Sequence, residues 1–121
     1  MKTRSPLAAF AVGLLVLAGP ALAQAPAQDG AGKFADICSG CHYEGSDDSP
    51  PLGGVTKRQI AGLPGYAYSP ALKAKTGAWT DANLDALITD SQVFAPGTPM
   101  MVQVSDPATR AAIIAYLKTL P

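Results

Sequence analysis

The sequence predicts an all-α domain of about four short helices joined by long irregular loops. Apolar residues recur at helical spacing, as at Leu84, Leu87 and Ile88, and no stretch alternates in the way of a strand. The longest loop, residues 43–65, is rich in Gly, Pro, Ser and Asp. Such long loops are uncommon in a compact domain unless they serve a function. We therefore expect this loop to wrap around a bound group.

Capping signals indicate where the helices begin. Asp29 and Ser69 are predicted N-caps, because their side chains can accept hydrogen bonds from the free N–H groups of a first turn. A proline follows the cap in Ser69-Pro70 and again in Asp106-Pro107. The predicted helices run from 29 to about 41, from 69 to about 75, from 80 onward, and from 106 to 120, the last one with its core face at Ile113, Tyr116, Leu117 and Leu120.

The N-terminal residues have the pattern of a secretory signal peptide. Lys2 and Arg4 precede an apolar stretch, residues 7–18, and Ala21-Leu22-Ala23 is a small-residue cleavage site. The alternative is an uncleaved N-terminal anchor. We predict a signal peptide over 1–23, cleaved after Ala23 for export to the periplasm, a flexible leader over 24–28, and one domain over 29–121 without stable membrane insertion.

Composition limits the functions that the exported domain can have. Removing Lys2 and Arg4 from nine basic residues leaves seven against nine acidic ones, so the net charge is near −2. Nucleic-acid binding is not expected, because it requires a basic surface. A domain this small buries a limited fraction of its surface, so a large apolar group would help to complete its core.

Residues 38–42, with the sequence Cys-Ser-Gly-Cys-His, are the main chemical motif. Two thiols on one helical turn can each add across a vinyl group of haem, and the following histidine then directs its imidazole at the iron. The motif predicts that Cys38 and Cys41 attach one haem c covalently and that His42 is an iron ligand.

Two interpretations of this motif without haem lack support in the sequence. A structural zinc site needs four ligands, and the chain has two cysteines and one histidine. A thioredoxin-like dithiol needs a βαβ context, which the pattern lacks.

A second axial ligand must come from another residue type, because His42 is the single histidine. Methionine sulfur is the usual alternative, and a Met/His pair raises the reduction potential of a haem. Met100 and Met101 remain after signal removal, in a loop that contains Pro96, Gly97 and Pro99. Either methionine could be the ligand on this reasoning, although methionine is also a common core filler.

These motifs together resemble those of class I c-type cytochromes, the small soluble monohaem cytochromes c. The Pro-Gly-Thr-Pro-Met run of residues 96–100 resembles the ligand loop of that family, P-G-T-x-M. Gly30 and Phe34 resemble positions in its first helix. Residues 115–118 resemble its last helix, and Pro50 or Pro51 with Leu52 resembles its proline-x-leucine. The resemblance covers nearly all of residues 30–120.

The resemblance implies a cytochrome c fold around one covalently attached haem c, with His42 and Met100 as axial ligands. It also implies that the proline carbonyl after the motif accepts the histidine N–H. The function it implies is one-electron transfer between donor and acceptor proteins, such as a dehydrogenase or a terminal oxidase or reductase. The protein would then be no enzyme, and a monomer when free.

Some positions depart from the family pattern. Leu87 or a neighbouring apolar residue stands where the family has a tyrosine that contacts the ligating sulfur, and Pro99 replaces a lysine. Acidic residues, rather than lysines, follow His42. Two alternatives therefore stay open: a haem c subunit of a dehydrogenase complex, and a ligand-binding or peroxide-reactive haem protein.

Overall fold

The computed structural model describes residues 26–121, so the predicted signal peptide over 1–23 lies outside the described part of the chain. In that part the helices are α1 Pro26–Ile37, a 3-10 helix Val55–Lys57, α2 Pro70–Lys73, α3 Asp81–Thr89, α4 Ser91–Phe94 and α5 Pro107–Leu117. The β-structure found over residues 26–121 is one isolated bridge between Gln59 and Ala78. The all-α prediction is therefore confirmed.

Helix α1 begins earlier than predicted. It starts at Pro26, so the predicted N-cap at Asp29 is wrong, and residues 26–28 of the predicted flexible leader are helical. Proline is favoured at the first position of a helix, because no partner is needed for its missing N–H. Asp29 lies in the first turn, where a carboxylate interacts favourably with the helix dipole.

The other predicted helix starts have capping hydrogen bonds. Ser69 Oγ accepts from the N–H of Leu72 at 3.3 Å, and Thr80 Oγ1 accepts from that of Asn83 at 3.2 Å. The Asp106 carboxylate accepts from the N–H groups of Ala108 and Thr109. Helix α4 was not predicted, because it is a single turn whose N-cap, Asp90, directly follows the end of α3.

The core lies where the first and last helices cross. Gly30 of α1 packs directly on the backbone of Ala112 in α5, and the rings of Phe34 and Tyr116 pack with centroids 5.2 Å apart. The buried core continues into the loops and α3, through Val55, Ile60, Leu72, Trp79, Leu84, Leu87, Ile88, Ala95, Ile113, Ile114 and Leu117. Between residues 26 and 121, no helix is long and apolar enough to cross a membrane.

The segment after α4 is tied to the helices on either side. The N–H of Val104 donates to the carbonyl of Ile88 at 2.9 Å. Arg110 of α5 donates from Nε to Asp85 of α3 at 2.7 Å and from Nη1 to the Val104 carbonyl at 2.9 Å. The loop that contains Met100 is thereby anchored at its C-terminal end to both α3 and α5.

The crossing at Gly30 predicts a large cost for Gly30→Ala. A Cβ there would lie 1.9 Å from the Ala112 carbonyl oxygen, which is backbone and cannot move aside without separating the helices. We expect the free energy of unfolding of the holoprotein to fall by about 3 kcal/mol in guanidinium titration. Gly32→Ala is the matched control: its Cβ would meet nothing within 4 Å, so a gain of about 0.5–1 kcal/mol is expected. Equal stabilities of the two variants would contradict the close crossing.

Capping by Asp106 predicts a pH-dependent stability. Hydrogen bonds from the Thr109 side chain and backbone hold the pKa of this carboxyl below its ordinary value of 3.8. Its charge therefore stabilises the fold above pH 3.8, and the effect is lost as the pH falls through the lowered pKa. We expect Asp106→Asn to melt at a lower temperature than wild type at pH 7, with the difference shrinking below pH 3.8. A difference independent of pH would contradict the assignment to the charge.

Candidate functional site

The Cys-x-x-Cys-His motif forms a tight turn directly after α1. The Phe34 carbonyl accepts from the N–H of Cys38 at 2.8 Å. The Cys38 carbonyl in turn accepts from the N–H groups of Cys41 and His42, at 3.2 and 2.9 Å. These bonds place both thiols and the imidazole on a single turn, so α1 ends at Ile37 rather than near Cys41 as predicted.

The two cysteines differ in their surroundings. Cys38 is partly buried against the hydrophobic core, and Cys41 is exposed; both thiols are free. Burial raises the pKa of the Cys38 thiol to about 11. Catalytic dithiols have lowered pKa values, since the thiolate is the reactive form. The raised pKa of Cys38 therefore argues against a redox dithiol.

His42 is oriented by the loop that follows it. Its Nδ1 lies 2.9 Å from the carbonyl oxygen of Pro50. A carbonyl can only accept, so Nδ1 is the donor, and in a neutral imidazole Nε2 keeps the lone pair that a metal requires. Arg58 Nη2 donates to the next carbonyl, that of Pro51, at 2.7 Å. Of the two prolines considered from the sequence, Pro50 is the partner of His42.

The two adjacent methionines lie in different environments. Met100 is partly buried and packs against the hydrophobic core. Met101 is 81% exposed, and its sulfur lies 3.2 Å from Gln92 Nε2. Only a side chain directed inward can reach a group held within the core, so the environment favours Met100, the methionine that the sequence resemblance selects.

The loop before Met100 contains a tight turn. The N–H of Thr98 donates to the carbonyl of Ala95 at 3.0 Å, which closes a β-turn over Ala95 to Thr98. Pro96 occupies the second position and Gly97, with φ 83°, the third, as in a type II turn. The Pro-Gly pair therefore reverses the chain just before the methionine.

Sequence reasoning did not find two residues that hold this loop. Ser91 Oγ lies 2.6 Å from the Met100 carbonyl oxygen, and Gln92 Nε2 lies 3.1 Å from the same atom. Nothing in the local pattern marks Ser91 or Gln92, because their acceptors are backbone carbonyls eight or nine residues away.

Thr98 tests whether the site suits a haem. Its side chain is buried, and Oγ1 is the single buried side-chain oxygen or nitrogen between residues 26 and 121 that has no hydrogen-bond partner. Buried hydroxyls are almost always hydrogen-bonded, so an unpaired one needs an explanation. A haem propionate is an acceptor that would pair with it. The residues present therefore fit the group.

Two aromatic residues, Trp79 and Phe94, pack against each other at the core. Trp79 is buried, its backbone N–H donates to the Arg58 carbonyl at 2.9 Å, and its ring centroid lies 6.0 Å from that of Phe94. Lys75 Nζ lies 4.8 Å above the centroid of Phe94. Leu87, which departs from the family pattern, is buried in the core.

Comparison with known proteins identifies the family. The sequence model of cytochrome c matches residues 27–121. The chain belongs to the cytochrome c family. It is 40% identical to cytochrome cH from Methylobacterium extorquens, whose structure superposes with a TM-score of 0.69 over 77% of this chain and 97% of that one. The cytochrome c fold predicted from the sequence is thus confirmed.

Two curated relatives show how far the likeness extends. Cytochrome c-type cyt cy of Rhodobacter capsulatus is 38% identical over 105 residues, which cover 84% of this chain and 53% of that protein. Cytochrome c of Guizotia abyssinica is 38% identical over 104 residues, 79% of this chain and 94% of that one. The chain therefore spans about half of the first relative and nearly all of the second.

Membership of the cytochrome c family establishes the cofactor and the broad role. Cytochromes c contain one covalently attached haem c with its iron, and they carry electrons rather than catalyse reactions. This chain is accordingly a haem-containing electron carrier. The prediction of one covalently attached haem c is confirmed, whereas its attachment through Cys38 and Cys41 stays a prediction.

Thr98→Val tests the fit of the haem at the buried hydroxyl. Valine has nearly the same shape but cannot donate a hydrogen bond. If Thr98 pairs with a propionate, the substitution should lower the free energy of unfolding of the holoprotein by about 2 kcal/mol, the range for a hydrogen bond to a charged group. Denaturant titration would measure it. Unchanged or increased stability would mean that the hydroxyl is unpaired in the holoprotein as well.

Proposed function

We propose that this cytochrome c is a periplasmic carrier of single electrons whose haem is attached through Cys38 and Cys41 and ligated by His42 and Met100. The observation that carries the proposal is the 2.9 Å contact between His42 Nδ1 and the Pro50 carbonyl. This contact commits Nδ1 to the protein and leaves Nε2 for the iron. The imidazole is therefore already oriented as an axial ligand needs.

Met100 completes the proposed pair. The side chain packs on the core from a loop that is anchored at its C-terminal end to α3 and α5. A thioether is uncharged and accepts hydrogen bonds only weakly, and as an axial ligand it raises the reduction potential relative to histidine. Two axial ligands leave no open position for substrates, as suits a carrier.

The bound haem supplies an iron that exchanges one electron between the ferric and ferrous states. The protein's own residues keep that exchange fast by changing little. His42 is fixed through Pro50, and the Met100 loop through α3 and α5. Trp79 is buried in the core and packs against Phe94. Little structural rearrangement is then needed when the charge on the iron changes.

Export and partners are part of the proposal. The predicted signal peptide over 1–23 supports delivery to the periplasm, where c-type haem can be attached to the folding chain. We propose donor and acceptor proteins as partners, among them a dehydrogenase or a terminal oxidase or reductase, and a monomeric free state. Purification would distinguish a free shuttle from a dehydrogenase subunit. A free shuttle should purify alone, whereas a subunit should purify in a complex.

Carbon monoxide binding to matched methionine variants tests the ligand assignment. The reduced wild-type holoprotein should keep its low-spin visible spectrum after CO is added, because both axial positions are filled. Met100→Ala should bind CO with a shift of the Soret band, since it opens one position. Met101→Ala is the control and should behave as wild type, because that side chain is exposed.

Three outcomes would contradict the proposal. A CO-induced shift in wild type would favour the alternative of a ligand-binding or peroxide-reactive haem protein. A shift in Met101→Ala but not in Met100→Ala would reverse the ligand assignment. Absence of a haem spectrum after expression with haem-attachment machinery would overturn the attachment through Cys38 and Cys41.

A further inference from the structure

We propose that Ser91 and Gln92 are positioning residues that keep Met100 on the iron by fixing the backbone of its loop. The inference rests on the proposed function, since it takes Met100 as the axial ligand. It concerns the start of α4, a part of the chain that carries no ligand itself. Between residues 26 and 121, all side-chain hydrogen bonds to the 96–101 segment come from these two residues.

Ser91 binds the chain on both sides of Met101. Its side chain is 1% exposed, and its Oγ donates to the Met100 carbonyl at 2.6 Å and accepts from the N–H of Val102 at 3.1 Å. The Ser91 N–H also donates to the Val102 carbonyl at 3.1 Å. One buried residue therefore fixes the peptide groups on both sides of Met101, the first of which includes the Met100 carbonyl.

Gln92 binds the same loop across its turn. Its Nε2 lies 2.9 Å from the Thr98 carbonyl and 3.1 Å from the Met100 carbonyl, and its Oε1 accepts from the Gly97 N–H at 3.3 Å. A single amide group thus joins the turn before the methionine to the methionine itself. Glutamine can do this because its side chain both donates and accepts.

A methionine ligand depends on such backbone contacts more than a histidine ligand does. His42 has a second ring nitrogen that the Pro50 carbonyl holds directly. The thioether of Met100 offers no donor, so the position of its sulfur is set by packing and by the backbone that carries it. The Met100 carbonyl accepts from both Ser91 and Gln92. These two hydrogen bonds fix the backbone of the same residue whose side chain is the proposed ligand.

Loosening the loop should therefore increase the fraction of molecules in which the sulfur has left the iron. An external ligand binds only that fraction, so its apparent dissociation constant falls in proportion as the open fraction rises. The oxidised protein is the sensitive state, because the soft thioether prefers ferrous iron. We expect the reduction potential to fall in the same variants.

Imidazole titration of the ferric holoprotein measures the open fraction. We expect Gln92→Ala and Ser91→Ala each to bind imidazole about tenfold more tightly than wild type, which corresponds to the loss of a partly buried hydrogen bond. The iron–sulfur charge-transfer band in the far red should weaken, and the reduction potential should drop. Gln92→Glu keeps the shape but replaces the donor by an acceptor, and should loosen the loop at least as much.

Gln103→Ala is the matched control. Gln103 is also a glutamine near the loop, but its Nε2 donates to Asp90 Oδ2 at 2.9 Å, and its side chain makes no hydrogen bond to residues 96–101. It should bind imidazole as wild type does. Gln92 is partly exposed, so its variants should fold. The test therefore stands even if Ser91→Ala, at a buried position, fails to fold.

The outcomes separate this inference from the proposed function. Wild-type imidazole affinity and potential in both Gln92 variants, with the charge-transfer band present, would overturn the positioning role and leave Met100 as the ligand. A wild-type protein without that band, in which Met100→Ala changes nothing, would instead overturn the ligand assignment. A drop in thermal stability without any change in imidazole affinity or potential would show a purely structural role and contradict the inference.

Discussion

The close crossing of α1 and α5 is the constraint on which the haem site depends. Gly30 admits the Ala112 carbonyl at a distance that any side chain would prevent, and the Phe34–Tyr116 contact lies one turn farther along. This crossing fixes where α1 ends. The Phe34 carbonyl then starts the turn that carries both cysteines and His42, so helix packing sets the position of the attachment turn relative to the core.

The two proposed iron ligands are held by different physical means. His42 is restrained through its own ring, which donates to the Pro50 carbonyl, and Arg58 restrains the neighbouring peptide. Met100 has no comparable group, and the protein instead fixes its main chain from α4. The histidine side is therefore set by one direct contact, whereas the methionine side depends on several indirect ones. The second arrangement is the more easily altered by substitution.

Much of this site could be predicted from the sequence because its decisive features are local. The spacing of residues 38–42 and the Pro-Gly turn before Met100 each lie within a few residues, so their geometry follows from short-range rules. The partner of His42 could not be told apart, since Pro50 and Pro51 offer the same carbonyl group. The role of Ser91 could not be predicted either. It depends on tertiary contacts with main-chain atoms. Every residue type has these atoms, so the sequence does not indicate the contact.

Four side chains that support the site share one property: each donates a hydrogen bond to a main-chain carbonyl. His42, Arg58, Ser91 and Gln92 all donate to peptide oxygens, which every amino acid provides. The donor residue and the acceptor residue of each hydrogen bond should therefore differ in how well they tolerate substitution. An accepting position whose own side chain has no other role can change that side chain as long as the backbone path is kept, whereas a donating position cannot. Among the residues of these hydrogen bonds, the donors should therefore vary least between related sequences.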